Sequence, residues 1–327
     1  MGLKYSICIP NYNSERFIGQ TIESALSQTV PRERYEVIVS DNASSDGSLQ
    51  VIRRYLPGIR VIKRAAAIPA IENWNACVKE AKGEYVILLH SDDLIDREFL
   101  EVCGAVLDRY PNIEMVSCRA RVIDASGRLL QEQRRAVDGR TTGQSVLSAV
   151  LRLNAVYPPS VLVRRRFYEC SGYYDAAIPY CADCDLCIRA AAENRLMFLD
   201  RCLCSYRRHS SNGGRLARAD MYDIRDSVIV APRWSERLGL STGESAALYR
   251  RVVWGLLLGS VCVLESGDRR NAVQRLTVIN ANFPIRGSAA AGFGCLWLLS
   301  RLPGGWRVAR LVADAYRSRK GKQLASR

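Results

Sequence analysis

The sequence predicts an α/β fold with a mostly parallel central sheet, followed by a helical C-terminal region. Three observations predict it. In the first third of the chain, short apolar runs alternate with amphipathic stretches of helical period. Those runs end in polar or acidic residues, as strands do where their carboxyl ends open onto a ligand crevice. From Asp220 onward the pattern is helical.

Tyr5 to Ile9 reads as the first strand, and Pro10 is expected to end its ladder because it has no N–H to give. Ser14 is expected to cap a helix that carries Phe17, Ile18, Ile22, Ala25 and Leu26 on one face. Tyr35 to Ser40 is the second strand, ending in Asp41 and a loop dense in turn formers that opens another helix. Ile59 to Ile62 is a short third strand. Ile71 to Ala81 is helical, with Trp74 and Val78 spaced four apart and Gly83 closing it. Val86 to Leu89 is a continuous apolar run, too short for a buried helix and right for a strand covered on both faces. It delivers His90, Ser91 and two adjacent acids, Asp92 and Asp93.

This alternation means parallel strands joined by right-handed crossovers, so all the strand-to-helix loops fall on one edge of the sheet. Pro10, Asn11, Tyr12, Asp41, Asp92 and Asp93 therefore converge, although they are scattered in sequence. Hard oxygen ligands there suit Mg²⁺ or Mn²⁺ carrying a phosphorylated substrate. Taken alone, Asp92 and Asp93 serve equally well to open a helix from Leu94, since acids favour a helix N-terminus. Three polar or acidic strand ends on one edge are harder to explain as three unrelated caps. Neither a G-x-G-x-x-G after the first strand nor a G-x-x-x-x-G-K-[ST] occurs, which leaves dinucleotide-dehydrogenase and P-loop readings without their phosphate cradle.

The second half opens with a strand at Ile113 to Cys118. Residues 119–145 read as a hairpin or excursion, Val146 to Leu153 as a helix and Ser160 to Arg164 as a strand. Tyr168 to Tyr180 reads as a loop, Asp183 to Asn194 as a helix, and Met197–Leu199 and Cys202–Tyr206 as two strands. Arg207 to Arg215 is basic and glycine-bearing, suited to closing over an anion or to serving as a solvated connector. Cys181, Cys184 and Cys187 have a spacing open to zinc or an iron–sulfur cluster, yet the segment reads as a helix on which cysteine is a small apolar residue.

The 327 residues carry a formal charge of +14, and Arg301 to Arg327 holds eight Lys/Arg against one acid, half of the excess. Such a charge implies an anionic partner: a phosphorylated substrate, anionic lipid or nucleic acid. The basic tail lacks the aromatics and motifs of a nucleic-acid binder, so nucleic acid is not expected. Twelve cysteines in a chain this long, without a small-domain framework, point to reduced thiols in the cytoplasm. Val252–Leu264 and Ala289–Leu299 are almost wholly apolar, but their 13 and 11 residues fall short of the roughly 20 needed to span a bilayer. They are either buried helices of a bundle or an appendage lying on a membrane, with Trp297, Trp306 and the basic tail at an anionic surface.

Three segments, Ser6-Ile-Cys-Ile-Pro-Asn-Tyr-Asn13, Glu36-Val-Ile-Val-Ser-Asp41 with its loop to Ser48, and Gly83-Glu-Tyr-Val-Ile-Leu-Leu-His-Ser-Asp-Asp93, occur in an order and spacing that resembles the family 2 glycosyltransferases. Cys181-Ala-Asp183-Cys-Asp185-Leu and Tyr206-Arg-Arg-His209 extend the resemblance to about residue 215. It implies the GT-A fold and inverting transfer from a nucleotide-diphosphate sugar, UDP- or dTDP-linked. It also implies roles. Pro10, Tyr12 and Asp41 would hold the nucleobase, Asp41 accepting from an imide N–H. Asp92 and Asp93 would hold a divalent metal and the ribose-diphosphate, Asp183 would be the general base, and Arg207 and His209 would approach the diphosphate. Two positions depart from the pattern: His90 stands where the first acid of Asp-x-Asp is usual, and Ala182 replaces a Glu before the base.

The expected organisation is a transferase domain over residues 1–215, with a nucleotide-sugar half (1–118) and an acceptor half (119–215), then a helical region over 216–327. The expected acceptor is a hydroxyl of a polysaccharide or lipid-linked glycan, met at the cytoplasmic face of a membrane. Two alternatives stand beside this reading. One is a sugar-phosphate nucleotidyltransferase, which would carry a glycine-rich basic loop where this chain has Pro10-Asn-Tyr-Asn13. The other is a non-catalytic nucleotide-sugar-binding or membrane scaffold protein.

Overall fold

The apolar runs of the first third form the centre of a nine-stranded mixed sheet. The computed structural model describes residues 2–133, 156–209, 220–265, 268–283 and 293–297. In chain order the strands are β1 (Tyr5–Asn11), β2 (Tyr35–Asp41), β3 (Arg60–Lys63), β4 (Tyr85–Leu88), β5 (Leu94–Ile95), β6 (Met115–Ile123), β7 (Leu129–Glu132), β8 (Val161–Arg164) and β9 (Leu196–Arg207). They lie in the order β3-β2-β1-β4-β8-β6-β9-β5, with β7 paired to β6 as a hairpin. The β1 to β4 block is parallel, β8 is antiparallel to both its neighbours, and β9 is parallel to β6.

Both faces of the central strands are covered, as their unbroken apolar runs require. Ile7 and Ile9 of β1 share one core with Ile18 and Ile22 of α1 (Ile18–Leu26) and with Phe99 and Leu100 of a later helix. On the other face Cys8 meets the Cys77 carbonyl (Sγ···O 3.4 Å), which belongs to the helix running over Ala70–Lys79. The helices after α1 are α2 (Ser48–Arg53), α3 (Ala70–Lys79), α4 (Phe99–Arg109), α5 (Arg165–Ser171) and α6 (Ala182–Ala192). Gly83 is required between α3 and β4 for closeness, not as a left-handed cap. A Cβ there would lie 2.5 Å from the Tyr5 carbonyl carbon, so any side chain would push β4 away from β1.

Several expectations are corrected. β1 runs through Pro10 to Asn11, because Pro10 lies at a register position opposite Ser40 and the ladder resumes beyond it. The Ser14 hydroxyl does not cap α1. It meets the Ser91 hydroxyl (2.7 Å), and the Ser14 carbonyl accepts from the Phe17 and Ile18 N–H groups instead. No helix opens at Leu94. That residue enters a two-residue strand against β9, and α4 begins only at Phe99. The two strands expected near residues 197–206 are one, bent by register shifts around Arg119. Part of the expected loop from Tyr168 is α5. The helix expected at Val146–Leu153 lies outside the described residues.

The chain divides into two units, Met1–Ser210 and Ser211–Arg327. In the second, α7 (Tyr222–Arg237), α8 (Thr242–Glu265) and α9 (Arg269–Asn282) pack on one another around Trp234, Val252, Leu256, Leu257, Leu276 and Ile279. Arg275 is fully buried there and donates to both oxygens of the buried Asp223 (2.8 and 2.5 Å). The apolar run of α8 is therefore core within this unit. Among the described residues no helix is long and apolar enough to cross a membrane. The stretch Ala289–Leu299 is described only over 293–297, and the basic tail Arg301–Arg327 lies outside the described residues.

Candidate active site

β1 and β2 run in register, so Asn11 lies opposite Asp41 at the carboxyl edge of the sheet. Asp41 is fully buried, and its Oδ1 accepts from Asn11 Nδ2 (2.8 Å) and Ser44 Oγ (2.6 Å). A cleft of about 320 Å³ opens at this edge, lined by Pro10, Asn11, Tyr12, Asn42, Ile68 and Trp74 among others. Of the three residues expected around a nucleobase, Pro10 and Tyr12 line the cleft. Asp41 does not; it fixes Asn11, which does.

β4 ends at Leu88, and the turn that follows gathers a second group. His90, Asp92 and Asp93 each bring one ligand atom within 4.8 Å of the others. Asp93 is fully buried; its Oδ1 accepts the Arg207 N–H (2.8 Å) while its Oδ2 has no hydrogen-bond partner. His90 Nε2 is likewise buried without a partner. Burial, and then the neighbouring Asp92 carboxylate, drive the Asp93 carboxyl well above the usual carboxylate range. Burial holds His90 below the ordinary imidazole value, against the pull of Asp92, which favours the neutral ring that binds metals. His90 Nε2 and Asp93 Oδ2 thus have no protein hydrogen-bond partner, and both belong to the group whose ligand atoms converge. A mixed imidazole and carboxylate set fits Mn²⁺ and related divalent ions.

Arg207 was expected at a diphosphate, but it is 1 % exposed. Its Nε donates to the Asp92 carbonyl (2.8 Å), its Nη2 to Gln20 (2.8 Å), and the guanidinium lies over the Phe17 ring (5.0 Å). It thus holds the backbone that carries Asp92 and Asp93. His209 does reach the acidic turn, with Nε2 2.8 Å from Asp92 Oδ2 and its ring packed on Phe17 at 4.6 Å. Phe17 and Gln20 were missed in the sequence because both read as ordinary positions of an amphipathic helix.

Asp183 stands in the first turn of α6, where its Oδ1 accepts the Cys184 N–H (2.7 Å). Burial raises its carboxyl above the ordinary value of 3.8, outweighing that bond. The helix behind it is anchored by Asp185 and Arg189 (3.0 Å, both buried), and Arg189 donates to the carbonyls of Ser171, Gly172 and Tyr173. The next residue, Tyr174, feels the Asp183 charge and meets Trp74 edge-on at 5.6 Å. Trp74 in turn packs on His90 at 4.6 Å and lines the cleft. Three consecutive residues of α3 therefore join the parts. Asn73 bonds Ser40 of β2, Trp74 touches the cleft and His90, and Asn75 clamps both backbone polar groups of Tyr174. Only the apolar spacing of Trp74 was visible in the sequence. The described cysteines, including Cys181, Cys184 and Cys187, are free thiols, and the metal-capable group among the described residues is His90, Asp92 and Asp93.

A mixed sheet of this order, with a cleft and an acidic turn on the carboxyl edge of its parallel half, is the GT-A type of α/β fold. The chain belongs to glycosyl transferase family 2, whose profile matches residues 6–170. Among curated relatives it is 31% identical over 112 residues to the poly(ribitol-phosphate) β-N-acetylglucosaminyltransferase TarS of Staphylococcus aureus, covering 33% of this chain and 19% of that protein. It is 40% identical over 103 residues to a poly(ribitol-phosphate) β-glucosyltransferase of Bacillus spizizenii, covering 30% of this chain and 16% of that one. The matches thus span less than a fifth of these relatives. Among solved structures, residues 1–349 of S. aureus TarS in complex with UDP-GlcNAc superpose with a TM-score of 0.63 at 20% identity, over 97% of this chain and 92% of that one. A mannosyltransferase from Pyrobaculum calidifontis in complex with GDP-Man and Mn²⁺ superposes with a TM-score of 0.57 at 18% identity, over 97% and 87% of the two chains.

Proposed function

We propose that this protein is an inverting glycosyltransferase that moves a sugar from a UDP- or dTDP-linked donor to a hydroxyl of a phosphate-bearing polymer or lipid-linked glycan. One observation carries the reading: Trp74 lines the cleft of about 320 Å³ and packs on His90 of the acidic turn. Base and diphosphate then lie along one edge, with Pro10 and Tyr12 at the base and Asp92 and Asp93 near the phosphates. The relatives support the donor and acceptor classes, since their names specify N-acetylglucosamine or glucose and poly(ribitol-phosphate). A chain of charge +14 suits a polyanionic acceptor.

In this reading Asp183 takes the proton of the acceptor hydroxyl as that oxygen attacks the anomeric carbon from the face opposite the diphosphate. The anomeric carbon–oxygen bond breaks, the diphosphate leaves with its electron pair, and configuration inverts. A carboxyl raised by burial is a stronger base than an ordinary one, which favours this role. Asp92 and Asp93, with His90 added by the structure, would hold a divalent cation that supplies positive charge to the departing diphosphate. Arg207 positions that turn, and His209, in contact with Asp92, would approach the departing diphosphate.

Calorimetric titration with UDP and dTDP, with and without Mn²⁺, tests the reading. Metal-dependent binding is expected, followed by transfer with the matching sugar nucleotide. Binding of neither nucleotide would sink it, and binding without turnover on any polymer acceptor would leave a nucleotide-sugar-binding scaffold.

A further inference from the structure

Between α6, which carries Asp183, and α3, which lines the cleft, lies a four-residue segment, Ser171 to Tyr174. From the α6 side, Arg189 donates to the carbonyls of Ser171 (2.6 Å), Gly172 (2.7 Å) and Tyr173 (2.8 Å). From the α3 side, Asn75 takes both backbone groups of the fourth residue. Its Nδ2 donates to the Tyr174 carbonyl (2.8 Å) and its Oδ1 accepts the Tyr174 N–H (3.0 Å). A carboxamide holds a donor and an acceptor side by side, so it pairs with this backbone edge as a neighbouring strand would; a carboxylate lacks the donor. The Tyr174 side chain is held too, 8% exposed, with its hydroxyl 3.2 Å from that of Tyr168 and its ring against Trp74.

We infer that Asn75 is a positioning residue for transfer: by pinning Tyr174 to the helix that lines the cleft, it sets where Asp183 stands relative to the anomeric carbon. The inference rests on the glycosyltransferase reading above and adds to it a residue that is not among those lining the cleft. The path is short. Asn75 fixes Tyr174, Arg189 fixes the three residues before it, and Arg189 is bound to Asp185 (3.0 Å, both buried), two residues from Asp183 on the same helix. Without the Asn75 amide, Tyr174 loses both of its backbone bonds to α3, and the tie between α6 and α3 through this segment is cut. Displacement at an anomeric carbon tolerates little slack. Base, acceptor oxygen and carbon must align, and a misplacement of about 1 Å costs on the order of 10²-fold in rate.

The test uses the full chain and measures transfer from UDP-N-acetylglucosamine and UDP-glucose to poly(ribitol phosphate), with UDP affinity by calorimetry in Mn²⁺. Asn75→Leu removes both bonds. Asn75→Asp keeps the shape and the bond from the Tyr174 N–H, and it carries the comparison if the leucine variant does not fold. Each folded variant should lower kcat by about 10- to 10²-fold and leave the UDP Kd within about threefold of native. Introduced into Asp183→Asn, the same substitution should cost no more than about threefold further, because a residue that acts through Asp183 then has nothing left to position. Native kcat in a folded variant would overturn the inference. So would a kcat loss matched by weaker UDP binding, or an equal loss in both backgrounds. Each of these results leaves the glycosyltransferase reading standing. A native chain that binds no UDP or transfers neither sugar would remove that reading and the inference together, and Asp183→Asn with native kcat would remove the base and the inference.

Discussion

Asp183 shows how a single environment sets a role. Its carboxyl sits above 3.8 because burial disfavours the charge more than the Cys184 N–H favours it. The base proposed above works only when ionised, so if Asp183 fills that role kcat should rise with pH through this raised pKa, and the acid limb should lie above that of an exposed carboxylate. Asp183→Asn should lower kcat by about 10³-fold while leaving the donor Kd within a few-fold. Lost donor binding would assign the residue elsewhere. The same shift makes a stability statement. A carboxyl whose folded pKa is raised contributes stability below its unfolded pKa and loses it as pH rises through the folded one. The Tm of Asp183→Asn should therefore gain on that of the native chain as pH rises from below the ordinary carboxyl value through the raised one. A Tm difference that does not move with pH would count against a desolvated Asp183. At this scale the sequence was informative where chemistry is strict: Asp92, Asp93 and Asp183 stand out by type and place. Asn11 was legible only as a member of the converging edge, His90 only as a departure from Asp-x-Asp and Trp74 only by its helical spacing, since an amide, an imidazole and an apolar ring have many ordinary uses.

At the scale of elements, two ion pairs of the same spacing separate structure from decoration. Arg165 and Glu169 are a pair at i and i+4 on α5, 43% and 48% exposed, and Asp185 and Arg189 are the same pair on α6, 6% and 6% exposed. Glu169→Gln, which leaves the Arg165 Nε bond to the Gly83 carbonyl in place, should change stability by at most about 0.5 kcal/mol. Arg189→Met should cost about 3–5 kcal/mol in urea unfolding, because it removes a buried guanidinium from the buried Asp185 carboxylate. It also frees the three carbonyls that Arg189 ties down beside Tyr174, so the variant should lose transfer even where it remains folded. Equal urea midpoints for the two variants would refute this ranking. The strands and helices of the parallel half were legible from period and turn chemistry, since both faces of each strand are buried. The antiparallel half was not. β9 had to be read as two strands because its bend falls among polar residues, and β5 is too short to leave a pattern.

The whole molecule is strongly basic, and the distribution of that charge decides what it can approach. Half of the +14 lies in Arg301–Arg327, beyond α9, while the buried Arg275 is already neutralised by Asp223. The apolar run of α8 is accounted for as the core of its own unit, so the membrane reading now falls on the tail and not on that helix. Replacing Arg307, Arg310, Arg317 and Arg319 with glutamine removes four charges and leaves the described helices intact. If the tail meets a membrane, then at about 1 kcal/mol for each basic residue near an anionic surface, partition onto phosphatidylserine vesicles should fall roughly 10³-fold. Raising the salt to 1 M, where the Debye length is about 3 Å, should release the native chain in the same way. A polyol-phosphate polymer offers the same sign of charge without a bilayer. If the tail serves the acceptor, the substitutions should raise the KM for polymer and leave vesicle binding weak in both proteins. If it serves a membrane, vesicle binding should collapse while the KM for a soluble acceptor holds. Unchanged vesicle binding and unchanged KM together would mean that the tail's charge guides neither encounter.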